Sequence, residues 1–338
     1  MKKENISVIV WLLSGCLLIF TMVIVGGITR LTGSGLSMVD WKLFAGSIPP
    51  INNQQWVDTF EMYKQFPEFQ KQNYMFTLEE FKNIFFWEYI HRLLGRLIGL
   101  VFIIPFIYFL IKKRLSKKLT LQCTVLLFMG ASQGAIGWWM VKSGLVNNPD
   151  VSHFRLATHL ITAFLTFSYT FWVALSLIYP NKSHQNKTLH KLSFILMIVV
   201  VIQIIYGAFV AGLGAGKVYN TWPKMNNDWI AESVYAMTPF WSNFVNGIAG
   251  VQFIHRTFAF VVLGLIIYIF YQSRKIPLIR LEKNAINLLL ITVFFQMVLG
   301  VITLVLGVPI WLGVIHQLGA FILLGSTVFS IFIFKPTK

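Results

Sequence analysis

The sequence predicts an all-α membrane protein whose eight transmembrane helices form two tandem four-helix bundles. Three observations lead to this prediction. The 338 residues are 56% hydrophobic and only 12% charged, about half the charged fraction of an ordinary soluble domain. Several apolar runs are about 18 residues or longer, which is enough to cross a bilayer as a helix. A set of glycines, glutamines and histidines recurs at matched places in the two halves of the chain.

Eight apolar runs are predicted to span the membrane, and we number these spans in chain order. They cover residues 7–28, 88–111, 120–141, 155–179, 192–213, 248–271, 285–306 and 311–334. The first span follows Lys2 and Lys3 and so resembles a secretory signal peptide. Its apolar run continues to Ile28, however, whereas a signal core is about 7–15 residues long. We therefore expect a retained first helix.

The distribution of charge predicts the orientation of the chain. The net charge is +16, and lysines and arginines concentrate in the short connections 112–119, 180–191 and 272–284. Basic residues favour the cytoplasmic side, so these connections and both termini are predicted to be cytoplasmic. This arrangement explains the basic charge without nucleic-acid binding. The absence of an Arg- and Ser-rich transit segment before the first span favours a bacterial inner membrane.

The two long connections, residues 29–87 and 214–247, are then predicted to lie on the extracytoplasmic side. A connection as long as the first one is usually functional or holds structure of its own. Within it, residues 68–83 are predicted to form a short amphipathic helix at the membrane surface.

The halves of the chain repeat, with a boundary near residue 180. Equivalent residues of the first and second halves are Gly26, Gly33, Gly35 and Trp41 with Gly207, Gly214, Gly216 and Trp222; Gln133 and Gly137 with Gln296 and Gly300; and His91 and His159 with His255 and His316. Four spans, an even number, separate equivalent residues, so the halves have the same orientation. The sequence therefore predicts bundles at residues 1–180 and 181–338, related by a pseudo-two-fold axis along the membrane normal.

Four histidines, His91, His159, His255 and His316, lie about one turn inside the extracytoplasmic ends of the even-numbered spans. Ionisable groups within a bilayer are costly and are usually functional. Two histidines at one depth on parallel helices can hold a flat ligand between them, and histidine is a common axial ligand of haem iron. The alternative is a buried histidine hydrogen-bonded to a carbonyl. Zinc or copper fits less well, because no cysteine completes the ligand set.

Charged residues beside these histidines distinguish the halves. Arg92 and Arg256 follow the first histidine of each pair and could bind either lipid phosphates or haem propionates. Glu88 lies one turn before His91, whereas Gln252 holds the matching place before His255. A carboxylate beside a porphyrin can transfer protons or orient a reacting group, although it could instead cap the helix. We expect chemistry in the first bundle and an electron-transfer haem in the second.

At these residues the chain resembles the haem A synthases, membrane enzymes that oxidise a methyl group of haem O to the formyl group of haem A for cytochrome c oxidase. The resemblance is carried by GGITRLTGSGLSMVDWK at 26–42, EYIHRLLGRLIG at 88–99, FIHRTFAF at 253–260 and the histidines of the fourth and eighth spans. The long first connection is similar to that of the alphaproteobacterial and mitochondrial branch. Some members carry a cysteine pair there, but residues 29–87 contain no cysteine.

The resemblance implies a role for each site residue. His255 and His316 would be the axial ligands of a resident haem b, and His91 and His159 the ligand pair of the substrate, haem O. Glu88 would be the essential carboxylate. The implied reaction oxidises the methyl group to an alcohol and then to a hydrated aldehyde, which loses water.

Two other functions compete with this interpretation. A dihaem b-type electron-transfer protein would also use four histidines, but these four lie near one face of the membrane. A transporter can have parallel repeats, but an acidic pair at mid-membrane is missing from the sequence. Candidate partners are haem O and haem A, the lipid bilayer, a haem O synthase, an electron donor and a second copy of the chain.

Overall fold

The computed structural model describes residues 3–39, 48–146, 149–180 and 186–336. Within these residues the chain forms ten α-helices and a few short 3₁₀ turns. The helices are α1 (Lys3–Leu31), α2 (Asn53–Lys64), α3 (Pro67–Lys71), α4 (Leu78–Ile111), α5 (Lys117–Lys142), α6 (His153–Ile178), α7 (Lys187–Gly212), α8 (Ile248–Ser273), α9 (Arg280–Val305) and α10 (Ile310–Phe334). Eight of them, α1 and α4 to α10, are long and apolar enough to cross a membrane. The predicted all-α class with eight membrane-spanning helices is confirmed.

Helix α4 begins ten residues before the predicted span, because a capping box fixes its start. The backbone N–H of Thr77 donates to Glu80 Oε2 at 2.7 Å, and the backbone N–H of Glu80 donates to Thr77 Oγ1 at 3.4 Å. These two bonds satisfy donors that a helix start leaves without partners. The helix predicted over residues 68–83 is therefore wrong. That segment contains the end of α3, a non-helical stretch and the first turns of α4.

The first long connection has a small aromatic core of its own. Phe60 and Tyr63 of α2 stack on Phe81 of α4, with ring centroids 5.0 Å apart in both pairs. The side chain of Met38, from the segment after α1, is buried in the same cluster. Large aromatic surfaces removed from water favour such a cluster. Residues after α1 are thereby held beside the start of α4.

Glu68 is a buried carboxyl within this connection. Only 5% of its surface is exposed, and it accepts a hydrogen bond from the Tyr63 hydroxyl at 2.9 Å. Burial, helped by the nearby charges of Glu88 and Asp150 and opposed by the Tyr63 hydrogen bond and the charge of Arg30, raises the pKa of Glu68 to about 8. The carboxyl is therefore protonated at neutral pH.

Raising the pH is expected to weaken the packing of this connection. The folded chain holds the Glu68 proton more tightly than the unfolded chain, whose carboxyl has its ordinary pKa near 4.5. The contribution to stability is then complete below about pH 4.5, falls as pH rises, and is lost above about pH 8. Hydrogen exchange of α2 and α3, corrected for intrinsic rates, should show more opening at about pH 9 than at about pH 6. Glu68→Gln should remove this difference, and an unchanged difference in that variant contradicts the prediction.

The last four helices form a closed ring of contacts. Helix α7 packs against α8 and α10, and α9 packs against the same two helices. This is the contact pattern of a four-helix bundle, and it is compatible with the predicted second bundle. In addition, Phe164 and Phe167 of α6 pack on Phe321 of α10, with ring centroids 5.1 Å and 3.9 Å apart.

The described residues group into two compact units. One comprises residues 18–159, and the other comprises the chain up to residue 17 together with residues 160–338. The division into bundles at 1–180 and 181–338, and the pseudo-two-fold axis between them, stay predictions.

The repeat is visible in the backbone after the first helix of each half. Gly33 after α1 and Gly214 after α7 both have positive φ, +67° and +63°. A residue with a side chain rarely adopts this conformation, which explains why both turns use glycine. The matching Trp41 lies outside the described residues.

Candidate functional site

Each of the four predicted histidines packs against a glycine of a neighbouring helix. A methyl group added to the glycine would lie 3.1 Å from the histidine Cε1 atom for Gly26 and His91, 3.3 Å for Gly137 and His159, 3.2 Å for Gly207 and His255, and 2.9 Å for Gly300 and His316. Carbon atoms in ordinary contact are about 3.5–4.0 Å apart. The ring edges therefore occupy the space that a side chain would need, and the helices approach closely at these four places.

In the second half of the chain, His255 on α8 and His316 on α10 lie side by side. Their ring centroids are 6.4 Å apart, and the ring planes are nearly perpendicular at 89°. An imidazole nitrogen lies about 2 Å from a metal that it binds, so two rings on opposite sides of one metal have centres about 6 Å apart. The observed spacing fits two axial ligands of one iron.

The alternative of an ordinary buried histidine fits this pair less well. Nδ1 of His255 and Nδ1 of His316 are both buried and have no hydrogen-bond partner among the described residues. A structural histidine in an apolar bundle normally satisfies its ring by a hydrogen bond to a carbonyl or side chain. The backbone beside each ring is instead fixed by glutamine. Gln203 Nε2 donates to the carbonyl of His255, and Gln296 Nε2 donates to that of His316, both at 3.0 Å.

In the first half, His91 lies on α4 and His159 lies on α6. Both belong to the compact unit of residues 18–159. Nδ1 of His91 is also buried and has no hydrogen-bond partner among the described residues.

Glu88, one turn before His91, is a buried carboxylate that accepts three hydrogen bonds. Only 3% of its surface is exposed. Its Oε2 accepts hydrogen bonds from the Ser37 hydroxyl and the Met38 backbone N–H, both at 2.7 Å. Its Oε1 accepts a charged hydrogen bond from Arg92 Nη2 at 2.6 Å. The alternative role of Glu88 as a helix cap is wrong, because α4 begins at Leu78.

Comparison with known proteins shows the family of the chain. Residues 9–328 match the sequence profile of the family described as cytochrome oxidase assembly protein. The chain belongs to this family. It is 55% identical to the haem A synthase of Flavobacterium psychrophilum over 97% of this chain and 98% of that protein. It is 45% identical to the haem A synthase of Nitrosospira multiformis, over 93% and 89% of the two chains. It is 40% identical to that of Wolbachia pipientis wMel, over 96% and 92%.

The second half of the chain repeats the arrangement around Glu88 without the carboxylate. Gln252 Nε2 donates to the carbonyls of Ala215 and Tyr219 at 3.0 Å and 3.2 Å. Tyr219 holds the place in the repeat that Met38 holds in the first half. In both halves, the residue one turn before the first histidine thus bonds to the segment that follows the first helix of that half, α1 or α7. An acid does this in the first half and an amide in the second.

The two arginines also make contacts within the protein. Arg92 Nη2 bonds to Glu88 and, at 2.9 Å, to the carbonyl of Met38. Arg256 Nη2 donates to the carbonyls of Thr221, Pro223 and Lys224. Nη1 of Arg256 is buried and has no hydrogen-bond partner among the described residues. That donor can still bind an anionic group of a ligand.

Sequence reasoning missed three functional neighbours, Gln203, Ser37 and Met38. A signal for Gln203 was present, because its spacing to Gly207 repeats that of Gln133 to Gly137 and Gln296 to Gly300. Residues four apart share a helix face, so this spacing places amide and glycine beside the same histidine. No comparable signal marks Ser37 or Met38.

Proposed function

We propose that this protein is a haem A synthase, which oxidises a methyl group of haem O to a formyl group. Its relatives with that name match nearly the whole chain at 40–55% identity. The observation that carries the proposal is the asymmetry of the two histidine sites. In both sites a glycine contacts the histidine, and the residue one turn before the first histidine bonds to the segment after the first helix of that half. Only in the first site is that residue a carboxylate. An electron carrier with two equivalent haems has no use for that difference.

His255 and His316 would hold a resident haem b, and the unpartnered Nη1 of Arg256 would bind one of its propionates. The spacing of the two rings and their unsatisfied Nδ1 atoms support this assignment. When bound, such a haem supplies one-electron redox chemistry. The chain supplies the ligands, their orientation and an apolar surrounding.

His91 and His159 would hold the iron of the substrate, haem O. Glu88 would serve the oxidation of its methyl group. An ionised carboxylate offers about four acceptor positions, and Ser37, Met38 and Arg92 occupy three of them. The remaining position, on Oε1, can accept a hydrogen bond or a proton from the hydroxylated methyl group. Arg92, already paired with Glu88, would hold the carboxylate in place.

The chain is a multi-pass membrane protein. We place it in a bacterial cytoplasmic membrane with both termini on the cytoplasmic side, following the basic short connections. Haem O carries a long apolar tail, so it would enter sideways from the lipid between helices. A haem O synthase, an electron donor and a second copy of the chain remain candidate partners. The assignment to the alphaproteobacterial and mitochondrial branch stays a prediction.

The direct test is expression of the full chain in a host that makes haem O but no haem A, followed by extraction and chromatography of the haems. We expect haem A to appear only when the protein is present, and the purified protein to show b-type haem. A preparation with b-type haem and unconverted haem O would instead support the dihaem electron-transfer protein. A colourless preparation would contradict both functions.

A further inference from the structure

We propose that the four glycines against the histidines, Gly26, Gly137, Gly207 and Gly300, are positioning residues that set the angle of each haem-binding imidazole. The inference rests on the proposed function, because it takes the histidines to be haem ligands. It adds residues that do not contact the iron but determine the angle at which the imidazole ligands would bind it.

The contact is the same at all four places. In each pair the ring atom nearest to the glycine is Cε1, the carbon between the two nitrogens. Gly26 and Gly207 are equivalent in the repeat, and so are Gly137 and Gly300. Some other glycines of the spanning helices have open space around them, whereas Gly250 and Gly319 lie close to Asn243 and Gln296. A methyl group on Gly130 or Gly264 would meet no atom within 4 Å. Among the glycines that the structure describes, only these four meet a histidine ring, so this contact is a feature of the histidine sites.

Local structure gives no other reason for glycine at these positions. All four lie inside helices, where alanine is the better helix former. None of them is among the glycines with positive φ, which are Gly33, Gly214 and Gly307. The remaining explanation for glycine is that the histidine ring occupies the space that a side chain would need. An added methyl group would lie 2.9–3.3 Å from Cε1, so the ring would have to move by several tenths of an ångström.

The ring has few ways to make that movement. For His255 and His316, the glutamine bonds hold the backbone carbonyl, so a displaced ring must rotate about its own side-chain bonds. Rotation changes the direction of the nitrogen towards iron. Groups that orient a metal ligand tune affinity and redox potential even when they do not touch the metal. The effect should follow the distances, with Gly300 the most sensitive and Gly137 the least.

The test compares Gly300→Ala and Gly207→Ala with Gly264→Ala, all in the purified full chain carrying its native haem. Gly264 lies on α8, the helix of His255, and is the matched control. The readouts are haem content, the electron paramagnetic resonance signal of the ferric haem and its midpoint potential. We expect Gly300→Ala to shift the signal and the potential and to reduce haem content several-fold. We expect Gly207→Ala to shift them less and Gly264→Ala to match the wild type.

Glycine variants in the first half test the first histidine site separately from the second. Gly137→Ala and Gly26→Ala should weaken binding of added haem O while leaving the signal of the resident haem unchanged, with Gly130→Ala as the control. These milder contacts also carry the test if Gly300→Ala fails to fold, as judged by circular dichroism and gel filtration. Wild-type signal, potential and haem affinity in the glycine variants would overturn the inference alone. Absence of haem from the wild type would overturn the proposed function and the inference with it.

Discussion

Replacing Glu88 with glutamine is expected to stop haem A formation while leaving the resident haem in place. The change removes the negative charge that pairs with Arg92, and it puts an amide donor against donors from Ser37, Met38 or Arg92. Loss of a positioned acid or base typically costs about 100-fold or more in rate. The fold should tolerate the change, because the second half already uses glutamine at the equivalent position, Gln252.

The measurement is the ratio of haem A to haem O extracted from cells that express each variant. Glu79→Gln is the matched control, because Glu79 lies on the same helix and its side chain is 78% exposed. The b-type absorption of purified Glu88→Gln should equal that of the wild type. Haem A production at the wild-type level in Glu88→Gln would show that the carboxylate has no part in the oxidation.

The second large effect is expected from His255→Ala and His316→Ala. Each removes one of two imidazoles whose centres are 6.4 Å apart, so a shared iron would lose one axial ligand. Changes even in groups that support metal ligands cost about 10–100-fold in affinity, so haem content should fall by at least about tenfold. Added free imidazole should restore part of the wild-type spectrum by filling the vacated position.

Two comparisons make this result specific. His190→Gln changes a histidine whose ring contacts the carbonyl of Ile331, and it should keep the full haem content. His91→Ala should retain the resident haem but lose haem A formation. If His255→Ala and His316→Ala both keep the wild-type spectrum, the assignment of these two side chains as ligands is wrong.

The membrane-spanning part of the fold could be predicted from the sequence, because bilayer thickness fixes the length of each apolar run. The spans predicted at 155–179 and 311–334 are observed as His153–Ile178 and Ile310–Phe334. The start of α4 was missed because its first two turns carry the charged residues Glu79, Glu80 and Lys82. They are specified by the capping box of Thr77 and Glu80, which a reading of hydropathy does not detect.

The site was predictable only where its residues lie on helices. Histidines and glycines at fixed spacing recur in both halves, and the Glu88–Arg92 pair has the four-residue spacing of an ordinary helix ion pair. Which glycine faces which histidine depends on helix packing, and no single-helix pattern contains that information. The bonds from Ser37 and Met38 to Glu88 join residues about fifty positions apart, through an irregular segment that has no periodicity to read.

Met38 joins the connection above the first site to the site itself. Its side chain is buried among the aromatic rings of α2 and α4, its N–H bonds to Glu88, and its carbonyl bonds to Arg92. To swing away from α4, the segment around Met38 would have to break all of these bonds at once, two of them to charged groups. We therefore expect the segment around Met38 to stay fixed against α4 and not to open during the reaction cycle. A bulky porphyrin would then have to enter and leave between the membrane-spanning helices, from the lipid.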